Sequence, residues 1–143
     1  MFKKVLHTAK KYFQRKAVVL MYHRIATPPS DVWEITVSAD NFEKQLIFLK
    51  KNYQVLTLDT LVKQLKTRSL IKNAVAITFD DGCLDNFNTA KPLLEKHQLP
   101  ATFFIPSGFV TRKKSFWWDD LENIFLSAPD LPAYLSININ GIG

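Results

Sequence analysis

The sequence predicts an α/β fold in which parallel strands alternate with helices. Two observations lead there. Short apolar runs rich in β-formers recur at residues 17–22, 53–58, 74–79 and 101–105, too short for helices and without polar alternation. Strands of that kind are buried on both faces, as in parallel sheets. Between them lie segments whose apolar residues recur at helical spacing, which makes the order strand–helix repeated four times.

Each element has its own signal. Residues 2–16 set Phe2, Val5, Leu6, Ala9, Tyr12 and Phe13 at helical spacing, with bases on the other face. Such a helix suits an anionic membrane surface; the plainer reading is a first helix with a solvated basic face. Ala17 to Tyr22 is an unbroken apolar strand that ends in His23-Arg24. Residues 27–30 are a loop, and Trp33 and Ile35 alternate with polar residues as a short extended piece. Ser38 is an N-cap with Asp40 and Glu43 in the first turn; Phe42, Leu46, Ile47 and Leu49 form the inward stripe. The strand at 53–58 precedes a helix capped by Asp59 or Thr60, with Leu61, Val62 and Leu65 inward. The strand at 74–79 precedes a helix from 86 to 97, whose start Pro92 makes irregular. Leu93, Leu94 and Leu99 face inward there, and His97 sits at the surface. The strand at 101–105 precedes an amphipathic helix at 116–126 that offers Trp117, Trp118, Leu121, Ile124 and Phe125 for packing. Residues 131–139 read as an edge strand.

Composition bounds the function. A chain of 143 residues, 47% hydrophobic and 13% aromatic, is one globular domain by length. Its net charge of +6 is carried by Lys3, Lys4, Lys10, Lys11, Arg15 and Lys16. The remaining 13 bases balance 13 acids. The body therefore has no basic face for nucleic acid, which is excluded as a partner. The single cysteine, Cys83, allows no intrachain disulfide and reads as a small apolar packing residue. No run of 18 or more apolar residues spans a membrane, and bases interrupt the N-terminus where a secretory core would stand. The expected location is cytoplasmic, or peripheral at the cell envelope.

The stretch from Ala74 to Cys83 carries the chemistry. A buried strand runs directly into Asp80-Asp81-Gly82. Gly82 allows a sharp turn or a close approach. Ligands of α/β sheets and barrels bind where strands end, so Asp80 and Asp81 stand at a binding mouth. Adjacent carboxylates repel unless a cation neutralises them, which suggests a metal ligand beside a proton acceptor. The alternative is a polar turn, since Asp-Gly pairs are common in turns. His23, also at a strand end, lines the same mouth or serves as a structural histidine.

The surrounding residues carry a resemblance. Thr78-Phe-Asp-Asp-Gly82, followed by Asp85-Asn86, Pro92-Leu-Leu94 and residues 100–105, resembles the first motif of the metal-dependent polysaccharide deacetylases. Residues 18–25 resemble the family's opening strand. Residues 116–122 resemble a segment of the branch that works on cell-surface polysaccharides. The resemblance implies hydrolysis of N-acetyl groups, a carbon–nitrogen non-peptide bond, on an N-acetylated polysaccharide such as one of N-acetylglucosamine. It implies Asp80 as general base, Asp81 as ligand of a divalent metal, Zn²⁺ by expectation, and His23 and Gly82 lining the site. It also implies an irregular (β/α) barrel, which takes about 200 residues or more. The expected organisation is therefore a basic helix over 1–16, and over 17–143 the N-terminal part of a deacetylase domain, a partial barrel.

The family's His-x-x-x-His ligands have no counterpart, because the histidines are His7, His23 and His97. Its later motifs are missing as well. The sequence is thus expected to stop before the second motif, and to hold metal weakly. Two other readings follow. One is a non-catalytic carbohydrate-binding remnant with Trp117 or Trp118 as a sugar platform. The other is a glycoside hydrolase, which fits poorly because its paired carboxylates stand at least about 5 Å apart across a sugar.

Overall fold

A computed structural model of the chain describes residues 16–110, 115–128, 130, 131, 133, 134 and 136. The basic helix expected over 1–16, apart from Lys16, lies outside the described residues, as does most of the edge strand expected over 131–139. The described residues fall into two compact units that divide after Ser107.

The first unit is built on one strand. β1 (Ala17–Tyr22) leads through two short strands, β2 (Arg24–Ile25) and β3 (Thr36–Val37), into α1 (Ala39–Asn52). Then follow β4 (Gln54–Leu56), α2 (Leu58–Lys66), β5 (Ala74–Phe79), a π-helical segment Asn86–Ala90, α3 (Lys91–His97) and β6 (Thr102–Phe103). β1, β4 and β6 all pair with β5, and every pairing is parallel. β1 matches β5 along its whole length, from Ala17 opposite Ala74 to Tyr22 opposite Phe79. β4 takes residues 74–76 and β6 takes residues 78–79, so those two share the other edge. β2 and β3 form a separate parallel pair that sequence reading had not resolved beyond an extended piece.

All six residues of β5 are buried. Val75, Ile77 and Phe79 pack with Phe42, Leu46 and Leu49 of α1 and Leu94 of α3. Ala74 and Ala76, on the opposite face, pack with Leu61 of α2. The face alternates because the chain reverses across the sheet. It crosses β5 through α1, returns through α2, and leaves again through α3; right-handed crossovers then put α1 and α3 together and α2 opposite. Phe79 is the centre of an aromatic group, 4.8 Å from Phe103, 5.4 Å from Tyr22 and 5.8 Å from Phe42 between centroids.

Local signals account for the helix ends. The Asn41 N–H donates to Ser38 Oγ at 3.3 Å, as expected of an N-cap. Thr57, not Asp59 or Thr60, caps α2, its Oγ1 accepting from the Thr60 N–H at 3.2 Å. The helix starts earlier because Leu58 turns inward against the second apolar group. Pro92 has no N–H to give back, so the ladder before it widens: the Lys91 N–H reaches the Asn86 carbonyl, five residues away. Three inward assignments do not hold: Ile47, Val62 and Leu65 are exposed, because their helices cover the sheet with narrower stripes than the periodicity allowed. His97, read as a surface residue, is half-buried; its Nε2 lies 2.9 Å from Glu43 Oε1, to which Lys96 Nζ donates at 2.7 Å.

The second unit, described by itself, contains α5 (Trp117–Leu126); α4 (Ser107–Val110) lies across the division. Trp118 stacks on Phe116 at 4.6 Å, and Phe116 meets Phe109 at 4.6 Å. No residue of α5 is buried. Trp117, expected to pack, is 61% exposed, and Leu121, Ile124 and Phe125 are exposed with it.

Two predictions follow from the packing. Phe79→Ala should cost about 3–5 kcal/mol, much of a domain's usual stability of about 5–15 kcal/mol; a urea titration followed by tryptophan fluorescence measures it. The second concerns Glu43. The hydrogen bond from Lys96, then that from His97, holds its carboxyl below the ordinary value. A lowered native value stabilises the fold above the unfolded value and loses that effect as pH falls through the native one. Urea midpoints of wild type and Glu43→Gln should therefore differ near neutral pH and converge in acid, by a small amount because the pair is partly exposed.

Candidate active site

The C-terminal ends of β1, β5 and β6 lie at one end of the sheet because the strands are parallel and in register. Asp80 continues β5, its N–H donating to the Tyr22 carbonyl at 2.9 Å. His23 follows Tyr22 directly. The Phe104 N–H donates to the Phe79 carbonyl at 2.8 Å, which brings Ile105 and Pro106 to the same end. The structure thus brings His23, Asp80, Asp81 and Gly82 to one mouth, with the first three half-buried and Gly82 exposed.

The turn there is strained. The Gly82 N–H donates to the Asp80 carbonyl at 2.9 Å, closing a three-residue turn around Asp81. Asp81 has φ +67° and Gly82 φ +60°. A γ-turn with positive φ at its centre is the rarer, strained form. Asp tolerates that region better than most residues, and Gly takes it freely. A Cβ at Gly82 would stand 3.0 Å from Ile105 Cδ1, so glycine serves both the turn and the close approach. Strain of this kind gathers at functional sites.

Asp85 holds the mouth together, a function sequence reading did not give it. Its Oδ1 accepts the Ile25 N–H at 3.0 Å and its Oδ2 accepts Arg24 Nε at 3.0 Å. The carboxylate is only 13% exposed. It ties the segment just after His23 to the turn just after Asp81. The signal was a polar residue one helical turn beyond Gly82, but its partner lies 60 residues away in sequence. Next to it, Asn86 is buried with neither side-chain polar atom hydrogen-bonded. Cys83, expected as a buried packing residue, is half-buried.

The donor set can be judged against a metal. Catalytic zinc takes about three protein ligands and an open position. Among the described residues, no three His, Cys, Asp or Glu side chains gather to hold an ion. Asp81 and His23 alone fall short, so these residues do not complete a metal centre. Among the described residues no helix is long and apolar enough to cross a membrane.

Comparison with known proteins points one way. Residues 67–127 match the family model for polysaccharide deacetylase. The poly-β-1,6-N-acetyl-D-glucosamine N-deacetylase of Staphylococcus aureus is 31% identical over 113 residues, 70% of this chain. The chain spans 39% of that relative's length. The solved structure of IcaB from Ammonifex degensii superposes with a TM-score of 0.63 at 34% identity, over 71% of this chain and 43% of that one. The Streptococcus pyogenes deacetylase PplD, solved with acetate, gives 0.61 at 27% identity, over 76% of this chain and 51% of that one.

Asp85→Ala should destabilise the chain by about 1–3 kcal/mol, because it leaves the buried Ile25 N–H without its acceptor. Asp85→Asn, which keeps an oxygen acceptor, should recover part of that loss. Urea midpoints compare the three, and equal midpoints for wild type and Asp85→Ala would refute the clamp.

Proposed function

We propose that this chain, which carries part of a polysaccharide deacetylase domain, supplies the proton-accepting part of a site that removes N-acetyl groups from a polysaccharide. The observation that carries the reading is the Asp80-Asp81-Gly82 turn at the end of the fully buried β5. Residues 17–143 are on this reading the N-terminal part of the domain. The substrate class follows the printed names of the relatives, an N-acetylated polysaccharide of the poly-N-acetylglucosamine kind. Residues 1–16, with six bases and no acid, would set the chain against an anionic surface at the cell envelope.

Amide hydrolysis needs a water nucleophile, a base for its proton, and an acid for the leaving amine. Asp80 is assigned as the base, a carboxylate oxygen taking the proton from water as it attacks the acetyl carbonyl. Asp81 is assigned as a ligand to the divalent metal, Zn²⁺ by expectation, that resemblance to the family implies. His23 and Gly82 line the mouth. Because the described donors do not complete a metal centre, no step is assigned through it.

A second reading keeps the fold and drops the chemistry: a carbohydrate-binding module that uses the exposed Trp117 ring as a platform.

The test is a chimera in which the matching residues of this chain replace their 113-residue counterpart in the Staphylococcus aureus relative. Acetate release from an N-acetylglucosamine oligomer should survive in the chimera and fall by about 100-fold or more in its Asp80→Asn form. An active chimera indifferent to Asp80→Asn would overturn the assignment. The 143-residue chain alone should release acetate at no useful rate and hold divalent metal weakly; robust metal-dependent release would show the ligands to be misassigned. Oligomer binding without turnover, lost in Trp117→Ala, would favour the second reading.

A further inference from the structure

We infer that Asp85 is a positioning residue for the reaction: it governs turnover by holding the Asp80-Asp81-Gly82 turn in its positive-φ form. The kinetic half of the inference rests on the deacetylase reading; the structural half does not.

Three unfavourable features fall between Asp81 and Ala90. Asp81 has φ +67°, a region that residues with a side chain rarely adopt. Asn86–Ala90 is π-helical, a rare form found mostly at functional sites. Asn86 is 3% exposed, and neither polar atom of its carboxamide has a hydrogen-bond partner, which costs free energy in a buried place. A stretch with such costs relaxes unless its surroundings over-determine it. The costs lie in dihedral angles, ladder spacing and a burial that is already complete.

Asp85 supplies the constraint. Its Oδ1 accepts the N–H of the fully buried Ile25 and its Oδ2 accepts Arg24 Nε, each at 3.0 Å. With both oxygens engaged, and by two different groups, the carboxylate is fixed in place and in direction. Arg24 and Ile25 form β2, which begins two residues past the end of β1. The same strand end holds Asp80, whose N–H donates to the Tyr22 carbonyl at 2.9 Å. Asp80 and Asp85 are thus both referred to one strand end, and the turn is stretched between them. Loss of the Asp85 carboxylate leaves Asp80 in its ladder and frees Asp81 and Gly82 to relax. Displacing reacting groups by about 1 Å can cost about 100-fold in rate, so the loss appears in turnover rather than in substrate binding.

Nitrogen-15 relaxation of the 143-residue chain tests the structural half. In Asp85→Ala the order parameters of the Asp81 and Gly82 amides should fall from about 0.85 to below about 0.6, while that of Asp80 stays near 0.85. Arg24→Gln removes the ion pair from its more exposed side and should give a smaller fall at the same two amides; it decides the matter if Asp85→Ala does not fold. Unchanged order parameters at Asp81 and Gly82 overturn the inference, whatever the fate of the deacetylase reading. The chimera with the Staphylococcus aureus relative tests the kinetic half. There Asp85→Ala should lower kcat by about 10- to 100-fold with KM within about twofold, and Asp85→Asn should recover part of it. Leu61→Ala, in the core on the opposite face of β5, is the control: it should lower the urea midpoint and leave kcat per folded molecule unchanged. An equal loss of kcat in Leu61→Ala and Asp85→Ala would make Asp85 merely structural and overturn the inference. An active chimera indifferent to Asp80→Asn overturns the deacetylase assignment instead, and the order parameters then decide the function of Asp85 in the turn.

Discussion

The burial of β5 on both faces is the constraint from which the rest follows. A strand with no solvent-facing side must have every backbone group paired in the sheet and every side chain packed under a helix. β1 supplies one edge along the full length, and β4 and β6 divide the other. The alternation of Val75, Ile77 and Phe79 with Ala74 and Ala76 makes the two faces unequal. Large residues meet two helices, and small ones let Leu61 of α2 come close. The polar residues that end β1 and β5 then have one place to go, the common mouth. Asp80 is held there by a ladder hydrogen bond, so its position is set by the sheet rather than by a loop.

What was legible in the sequence, and what was not, divides by range. The strand at Ala74–Phe79 and the Ser38 cap were readable because their signals are local: an apolar run and a hydroxyl before a helix. The parallel arrangement was readable from element order. Ile47, Val62 and Leu65 were misplaced because periodicity says which face a residue shares, not how wide a neighbour covers it. Thr57 was missed because the helix began one residue ahead of the acid that looked like its cap. At the mouth, Asp80, Asp81, Gly82 and His23 could be named from strand ends. The Asp85 clamp on Arg24 and Ile25 could not, because a contact across 60 residues leaves no local mark. The same holds for Glu43 and His97, which meet across two helices.

The turn and the clamp act on each other. A three-residue turn with positive φ at Asp81 is not held by its own single hydrogen bond. It persists because both flanks are fixed: before it by the β5 ladder, after it by the buried Asp85 carboxylate. Asp85 thus acts on the turn through its hold on Arg24 and the Ile25 N–H. Its charge is matched by Arg24 and its second oxygen is taken by a backbone N–H, which is how a carboxylate of low exposure is tolerated.

The form of that turn also bears on the class of reaction. Glycoside hydrolysis places an acid and a base on opposite sides of a sugar, with carboxylates at least about 5 Å apart and a ring between them. Asp80 and Asp81 are consecutive and lie within one hydrogen-bonded turn, not on two elements that could face each other across a cleft. The proposed roles, one carboxylate taking a proton and the other contributing charge beside it, call for a short rigid segment, which the turn and the Asp80 ladder bond provide. Two consecutive carboxylates in one turn accord with the proposed acyl hydrolysis.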